Sequence, residues 1–155
     1  MPRFLRIALA AGAVLLALAA LGAWASRAST GPATIRITAQ QISYARVDEG
    51  RPGRSAGDVE ITRELVFNKR IRAKPIGHSE IVCTFVGGGL SRMCSGSVFL
   101  PKGRIVVGGP IQYRDLYELA VIGGTGLYDN ARGTVTVTRT AKSPSRDFLY
   151  LRLTG

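Results

Sequence analysis

Two glutamates on one predicted strand are the strongest candidates for acid–base chemistry in this sequence. Glu60, Thr62 and Glu64 are spaced two residues apart, so their side chains share one face of an extended chain. If that face points into an apolar interior, a carboxyl group on it has a raised pKa and can act as general acid or base. The same spacing also fits a solvated outer face, and both interpretations stay open at this stage.

The sequence excludes most other kinds of catalytic site. His78 is the only histidine, so a serine–histidine–aspartate triad or a histidine-rich metal site cannot be built. Beside Gly77 at a strand start, this histidine is interpreted as structural or exposed. A dinucleotide fingerprint fails because Asp129 stands where the third glycine is needed. Catalysis, if there is any, is therefore expected to need no metal and no cofactor.

The elements that would position these residues are predicted to be strands. Short segments of β-branched and aromatic residues alternate with Gly, Pro, Asn or Asp, and neither a repeat nor a helical period is found. This pattern predicts an all-β domain, and a closed eight-stranded barrel would leave no free edge and could hold one small ligand. The predicted strands are Thr34–Val47, Asp58–Lys69, Ile76–Val86, Met93–Leu100, Arg104–Gly109, Tyr113–Ile122, Gly133–Thr140 and Phe148–Thr154.

The connections are predicted from turn chemistry. Leu100 to Gly103 has proline second and glycine fourth, as a tight turn prefers. The polar segments 48–57 and 141–146 are expected to be longer loops. Between Leu119 and Thr138 the chain reads as a strand, a glycine turn, and a second strand that begins at Gly133.

That last stretch resembles the central signature of the dirigent and allene oxide cyclase family. An apolar strand runs into a Gly-Gly-Thr-Gly motif, then an aromatic residue, then Ala-Arg-Gly; the signature residues are Gly123, Gly124, Thr125, Gly126, Arg132 and Gly133. The upstream segment GGPIQYRDLYELAV and the closing segment DFLYLRLTG are also similar to that family. The resemblance covers roughly residues 57–155 and implies an eight-stranded antiparallel β-barrel of the allene oxide cyclase and dirigent type.

The resemblance also implies roles for single residues. Glu64 falls where the cyclases carry an asparagine that holds a water molecule, and Glu60 falls on another pocket position. Tyr117 stands where dirigent proteins carry a pocket arginine, and its phenol could donate a hydrogen bond to developing negative charge. Tyr44, Tyr113 and Thr62 are the candidate substrate-binding residues.

This chain departs from the family pattern on its first strand. No acidic residue lies between Gln41 and Ala45, where the cyclases carry a glutamate. That absence argues against allene oxide cyclization as the reaction. Arg132 and Asp129 are interpreted as residues that hold the end of the barrel together, rather than as site residues.

The two cysteines are predicted to form a disulfide. If residues 87–90 close a hairpin in which Val86 lies opposite Ser91, Cys83 lies directly across from Cys94, close enough for a bond. The bridge would staple one hairpin of the barrel and have no catalytic role. The plant cyclases are credited with a functional cysteine in this region, but neither cysteine aligns with it.

The N-terminus has the pattern of a secretory signal peptide. Arg3 and Arg6 precede an apolar block, and Ala23-Trp24-Ala25 provides a cleavage site, with Ala28 as a second one. The domains are therefore predicted as a leader over residues 1–25, forming a helix, and a secreted barrel over residues 26–155. An uncleaved leader that anchors the protein in the membrane is the alternative.

The charge balance is strongly basic. The whole chain carries a formal charge of +11, and removal of the leader leaves 19 basic and 10 acidic side chains. These charges are scattered along strands and turns rather than clustered, so nucleic-acid binding is not expected.

The sequence favours a barrel that binds a hydrophobic or aromatic small molecule in its lumen and directs a cofactor-free, stereoselective cyclization or coupling. A homotrimer is expected from the family resemblance. The alternatives are a non-catalytic, lipocalin-like carrier or cell-envelope protein, and a structural protein with a filled interior. Carboxylates and tyrosines that converge on a cavity of about 300 Å³ or more would favour the first. An apolar cavity without convergent polar groups would favour the carrier, and a packed interior the structural protein.

Overall fold

The computed structural model describes residues 31–68, 74–87 and 89–154. The predicted leader lies outside the described residues. Eight antiparallel strands follow each other in chain order, and each pairs with its sequence neighbour. The strands are β1 (Ala33–Val47), β2 (Val59–Phe67), β3 (Gly77–Phe85), β4 (Arg92–Leu100), β5 (Gly103–Ile111), β6 (Leu116–Gly126), β7 (Gly133–Lys142) and β8 (Ser145–Leu153).

Pairing of β1 with β8 closes the sheet into a barrel, which confirms the predicted fold class. The end where β1 leads into β2 is called the mouth end here, and the end where β1 begins is called the closed end. No helix in the described parts of the chain is both long and apolar enough to cross a membrane.

The closed half of the barrel is filled with apolar side chains. Because side chains alternate across a strand, every second residue points inward. The buried aliphatic residues of this core are Ile37, Ala39, Val66, Val98, Ile105, Val107, Leu119, Val121, Val135, Val137, Leu149, Leu151 and Leu153. The polar cavity inside the barrel therefore lies in the half nearer the mouth. A separate, open pocket of about 620 Å³ lies at the closed end, between Ile35, Leu100 and Tyr128.

The disulfide prediction is confirmed. Cys83 and Cys94 pair across the β3–β4 hairpin, with Cα atoms 4.0 Å apart and a sulfur–sulfur bond of 2.04 Å. Val86 donates its backbone N–H to the carbonyl oxygen of Ser91, which fixes the hairpin register that places the cysteines opposite each other.

The glycine motif corrects one sequence prediction. Gly123 and Gly124 do not form a turn: both lie inside β6 and pair with β5, and the turn follows over residues 127–130. The chain needs glycine here because a Cβ on Gly124 would lie 2.1 Å from the carbonyl oxygen of Tyr128. The motif thus lets the turn fold back onto its own strand.

The prediction of a loop over residues 141–146 is also wrong. A register shift between Arg139 and Ala141 allows β7 to continue to Lys142, which pairs with Ser145. Only Ser143 and Pro144 remain as a turn, joined by a cis peptide bond. The bulge accommodates one extra residue, so the hydrogen-bonded ladder extends further than the polar composition suggested.

Candidate active site

A polar cavity of about 260 Å³ occupies the mouth half of the barrel, so it has the expected convergent polar groups but is slightly smaller than the expected size of about 300 Å³. Its lining combines carboxylates, guanidinium groups and phenols. The lining residues are Gln41, Tyr44, Glu60, Thr62, Glu64, Ile81, Arg92, Arg114, Tyr117, Arg139, Lys142, Ser145 and Asp147. Of the residues proposed from sequence, the fold brings Glu60, Thr62, Glu64, Tyr44 and Tyr117 together in this one cavity.

A bulge in β1 allows Gln41 and Tyr44 both to face the cavity, although regular alternation would place residues three apart on opposite faces. Gln41 pairs with Glu64, but the next pair is Ser43 with Arg63, so Ile42 is the extra residue and points outward. Beyond the bulge, Tyr44 lies opposite Thr62 and shares its inward face. Without the bulge, Tyr44 would lie on the outside of the barrel.

Glu64 is buried on the inner face of β2, at 5% exposure. Burial raises its pKa, and the negative charge of Asp147 adds to the effect. Two smaller influences oppose the rise: a 2.6 Å hydrogen bond donated by the Ser79 hydroxyl to Oε2, and the positive charge of Arg139. The carboxyl group therefore holds its proton to a higher pH than an exposed glutamate does.

Glu60 is also buried, at 6% exposure, but its surroundings differ. Its Oε1 accepts a hydrogen bond of 2.8 Å from the Tyr44 hydroxyl and one of 2.9 Å from Nη2 of Arg114. Nε of Arg92 lies 3.9 Å from Oε2. A carboxylate held by these donors is suited to fix side chains in place, whereas Glu64 is suited to exchange a proton.

Tyr117 enters the cavity from β6, where it pairs with Val137 of β7. Burial is the main cause of its raised pKa, and the charges of Asp147 and Glu64 act in the same direction. The phenol therefore stays protonated at neutral pH and can donate a hydrogen bond. Asp147 itself forms a two-point ion pair with Arg139, at 3.0 and 3.3 Å.

Sequence reasoning missed Ser79, Arg92, Arg114, Arg139 and Asp147. Two of them carried a usable signal. Asp147 alternates in phase with the inward leucines of β8. Arg92 is two residues from Cys94, so its side chain lies on the same face of the strand as the predicted disulfide. A charged residue in phase with core residues marks a polar interior.

The remaining candidates lie away from the cavity or at its entrance. Tyr113 is 70% exposed and lines a second, wider pocket of about 760 Å³ at the mouth. This pocket, called the mouth pocket here, also presents Leu90, Asp115 and Leu116. It shares Arg114, Arg139 and Lys142 with the inner cavity. Of the two interpretations left open by the sequence, the inward one is therefore correct for the face that carries Glu60, Thr62 and Glu64.

The signature residues Gly123–Gly126, Arg132 and Gly133 lie at the closed end, far along the barrel from the cavity. Arg132 accepts a hydrogen bond at its carbonyl oxygen from the N–H of Thr154, which ties the turn to the last strand. His78 stacks on Phe99 with ring centroids 4.4 Å apart on the outer surface. Neither Arg132 nor His78 contributes to the lining of the inner cavity.

No family model and no curated protein matches the sequence. Solved structures do match it. A pterocarpan synthase dirigent protein superposes with a TM-score of 0.65 at 14% identity, over 79% of this chain and 86% of its own. The fold is that of the dirigent proteins.

Other solved structures share this dirigent-like barrel. A pyocyanin demethylase superposes with a TM-score of 0.66 at 24% identity, over 77% of this chain and 99% of its own. The Diels-Alderase AbmU from Streptomyces koyangensis gives a TM-score of 0.65 at 16% identity, over 79% of this chain and 63% of its own. These comparisons confirm the predicted resemblance in fold, and several of the proteins act on small molecules.

Proposed function

We propose that this dirigent-like barrel binds a small organic molecule in its polar cavity and directs a ring closure or coupling without a cofactor. The observation that carries the proposal is the placement of Glu64, a buried carboxyl group with a raised pKa, in the same cavity as the protonated phenol of Tyr117. A proton donor or acceptor and a hydrogen-bond donor that converge on one cavity are the parts that such a reaction needs.

The barrel would act first by shape. An enclosed cavity holds a flexible molecule in a folded, near-attack geometry and excludes water from it. Glu64 then donates or removes a proton, and Tyr117 stabilises negative charge that develops on an oxygen atom of the ligand. Glu60, held by Tyr44 and Arg114, keeps the wall of the cavity in place.

A non-catalytic carrier is the second candidate, and the mouth pocket favours it. That pocket is larger than the inner cavity and has an apolar rim formed by Leu90, Tyr113 and Leu116, as a binding site for a hydrophobic ligand would. The convergent acid–base groups deeper in the barrel have no role in a carrier, which is why the directing function is preferred.

Export and assembly are part of the proposal. The disulfide supports an oxidising destination such as the cell exterior, reached through cleavage after Ala25 or Ala28. Outward-facing Ile61, Val82 and Met93 on neighbouring strands are exposed and support a homotrimer that would cover them.

Native mass spectrometry of the protein purified from the medium of its own cells tests these proposals together. The expected spectrum shows a cleaved, disulfide-bonded trimer with a small molecule bound. Thr62→Trp, which fills the cavity, should lose the molecule, whereas Thr154→Trp, exposed at the closed end, should keep it.

The bound molecule then decides between the functions. Conversion of a linear precursor into a cyclic product of equal mass supports directed ring closure, and unchanged release supports a carrier. A product one methylene unit lighter would instead indicate demethylation, the reaction named for one structural neighbour. A ligand retained equally by Thr62→Trp would contradict a site in the lumen.

A further inference from the structure

Arg92, the first residue of β4, points into the cavity with hydrogen-bonding capacity left unused. The residue is only 7% exposed, and neither its Nε nor its Nη1 has a hydrogen-bond partner among the described residues. Buried donors without partners are rare in folded proteins because their desolvation is not compensated. Such donors facing a cavity indicate that something else completes their bonding when the cavity is filled.

The neighbours of Arg92 do not use these donors. The Glu60 carboxylate is 3.9 Å from Nε, too far for a hydrogen bond, and its other oxygen is already occupied by Tyr44 and Arg114. The Phe85 ring lies 5.8 Å from the guanidinium carbon and offers only its face. The positive charge is therefore partly balanced, while the N–H groups remain free for an oxygen atom.

The charge balance of the cavity points to an acidic ligand. Four basic side chains line it, namely Arg92, Arg114, Arg139 and Lys142, against three acidic ones. The net charge of these side chains is positive even with every carboxyl group ionised, and it becomes more positive when Glu64 is protonated. A cationic ligand would be repelled, whereas a negatively charged oxygen would complete both the charge and the hydrogen bonding of Arg92.

We infer that the cavity takes carboxylic acids, with the carboxylate bound by the unused N–H groups of Arg92 and the apolar part of the molecule lying in the mouth pocket. The apolar rim of Leu90, Tyr113 and Leu116 is on the side from which such a molecule would enter. This inference rests on the proposed function, since it names the ligand class of the same cavity.

A matched pair of probes tests the inference. 2-Naphthoate and 2-naphthamide have the same ring and nearly the same size, but only the first carries a negative charge. Isothermal titration calorimetry of the full chain should show that the carboxylate binds about ten-fold tighter or more than the amide, as one charge-assisted hydrogen bond warrants. Thr62→Trp should abolish binding of both, which locates them in the cavity.

Substitutions then assign the preference to Arg92. Arg92→Met keeps the volume and should lower the affinity for the carboxylate about ten-fold while leaving the amide unchanged. Arg92→Lys keeps the charge, so it should retain part of the preference for the carboxylate over the amide. This variant also shows whether a loss of binding in Arg92→Met reflects a folding defect. Arg63→Met is the matched control, because Arg63 is exposed on the outer face and pairs there with Glu80.

The possible failures are distinguishable. Equal affinity of the folded wild-type protein for carboxylate and amide overturns the acid preference but leaves a ligand site in the lumen. Loss of the preference in Arg63→Met, with retention in Arg92→Met, overturns the assignment to Arg92. Absence of binding for both probes overturns the inference and the lumen as a ligand site together.

Discussion

The Ser79 hydroxyl on β3 donates a 2.6 Å hydrogen bond to Oε2 of Glu64 on the adjacent strand, inside the barrel. This bond favours the ionised carboxylate, whereas burial favours the neutral acid, and burial is the larger of the two effects on the pKa of Glu64. The carboxyl group is thereby protonated more readily than a free glutamate but still has a partner that tolerates its ionised form. That balance suits a residue that gains and loses a proton within one reaction cycle.

Replacement of Glu64 by glutamine should abolish most of the activity while sparing ligand binding. Glutamine has nearly the same shape but cannot transfer a proton, so the turnover of the ligand found in the cavity should fall about 10²- to 10⁴-fold. Affinity for that ligand should change only a few-fold. Single-turnover product analysis measures the first quantity and calorimetry the second.

Glu118→Gln is the control for this substitution, since Glu118 lies on the outer face and pairs with Arg152. It should leave turnover unchanged. Wild-type turnover in Glu64→Gln would remove Glu64 from the mechanism.

The Glu64→Gln variant should also show a gain in stability over the wild type that depends on pH. The pKa of Glu64 is higher in the folded protein than its ordinary value near 4.5, so the folded state holds this proton more tightly than the unfolded state does. The free energy of unfolding of the wild type therefore falls as the pH rises from that ordinary value to the folded pKa. Glutamine does not titrate, so the stability of Glu64→Gln relative to the wild type should increase across the same interval.

Urea unfolding at a series of pH values from about 4 to about 8 measures this difference. Ser79→Ala should act in the opposite direction on the wild-type carboxylate, because it removes the bond that favours ionisation and so lowers stability at neutral pH. A difference between Glu64→Gln and the wild type that is independent of pH would show that Glu64 is not perturbed in the folded state.

The fold could be predicted from sequence because period-two alternation and turn residues are local signals. Eight strands and the Cys83–Cys94 pairing follow from them. The errors arose where the packing of one segment against another, rather than local composition, decides the structure. Gly123 and Gly124 have the composition of a turn, yet their place in β6 depends on how the following turn packs against the strand.

The site could be predicted only in part, for a related reason. Alternation placed Glu60 and Glu64 on one face but could not decide whether that face was the inner one, since both faces of a strand have the same period. Arg92 and Asp147 come from strands distant in sequence. Only closure of the barrel brings them to the same cavity as Glu64.

Asp58 should contribute to stability with the opposite pH dependence. Its buried carboxylate accepts hydrogen bonds from the backbone N–H groups of Ser55 and Glu49 and from Arg46, and these hold its pKa well below the ordinary value of 3.8. The contribution is complete above that ordinary value and is lost as the pH falls below it. Asp58→Asn should therefore lower the melting temperature by several degrees at neutral pH, and by less in acid.

Asp48→Asn in the same loop provides the comparison. The Asp48 side chain is 46% exposed, so its removal should have a much smaller effect at every pH. Thermal denaturation of both variants, followed by circular dichroism at neutral and acidic pH, measures the difference. An equal deficit for Asp58→Asn at both pH values would argue against a depressed pKa.

The disulfide should stabilise the barrel without serving the chemistry. Cys83 and Cys94 are 11 residues apart, and closure of a loop of that size in the unfolded chain is worth about 3 kcal/mol. The double variant Cys83→Ala, Cys94→Ala should lose about that free energy of unfolding and keep its ligand affinity. Wild-type protein treated with reductant should match it, and loss of ligand affinity in a folded double variant would contradict a purely structural bridge.

Gly133 should be the least replaceable glycine of the family signature. It begins β7 with a φ of +135°, and a Cβ there would lie 1.9 Å from the carbonyl oxygen of Arg152. That oxygen belongs to β8, which pairs with both β7 and β1, so neither strand can withdraw without opening the barrel. Gly133→Ala should cost about 3 kcal/mol or more in urea unfolding. Gly87→Ala, where nothing lies within 4 Å of the added methyl group, should cost little. Because Gly133 lies at the closed end, any Gly133→Ala protein that still folds should bind the ligand normally; a folded variant with lost affinity would place the signature in the site rather than in the framework.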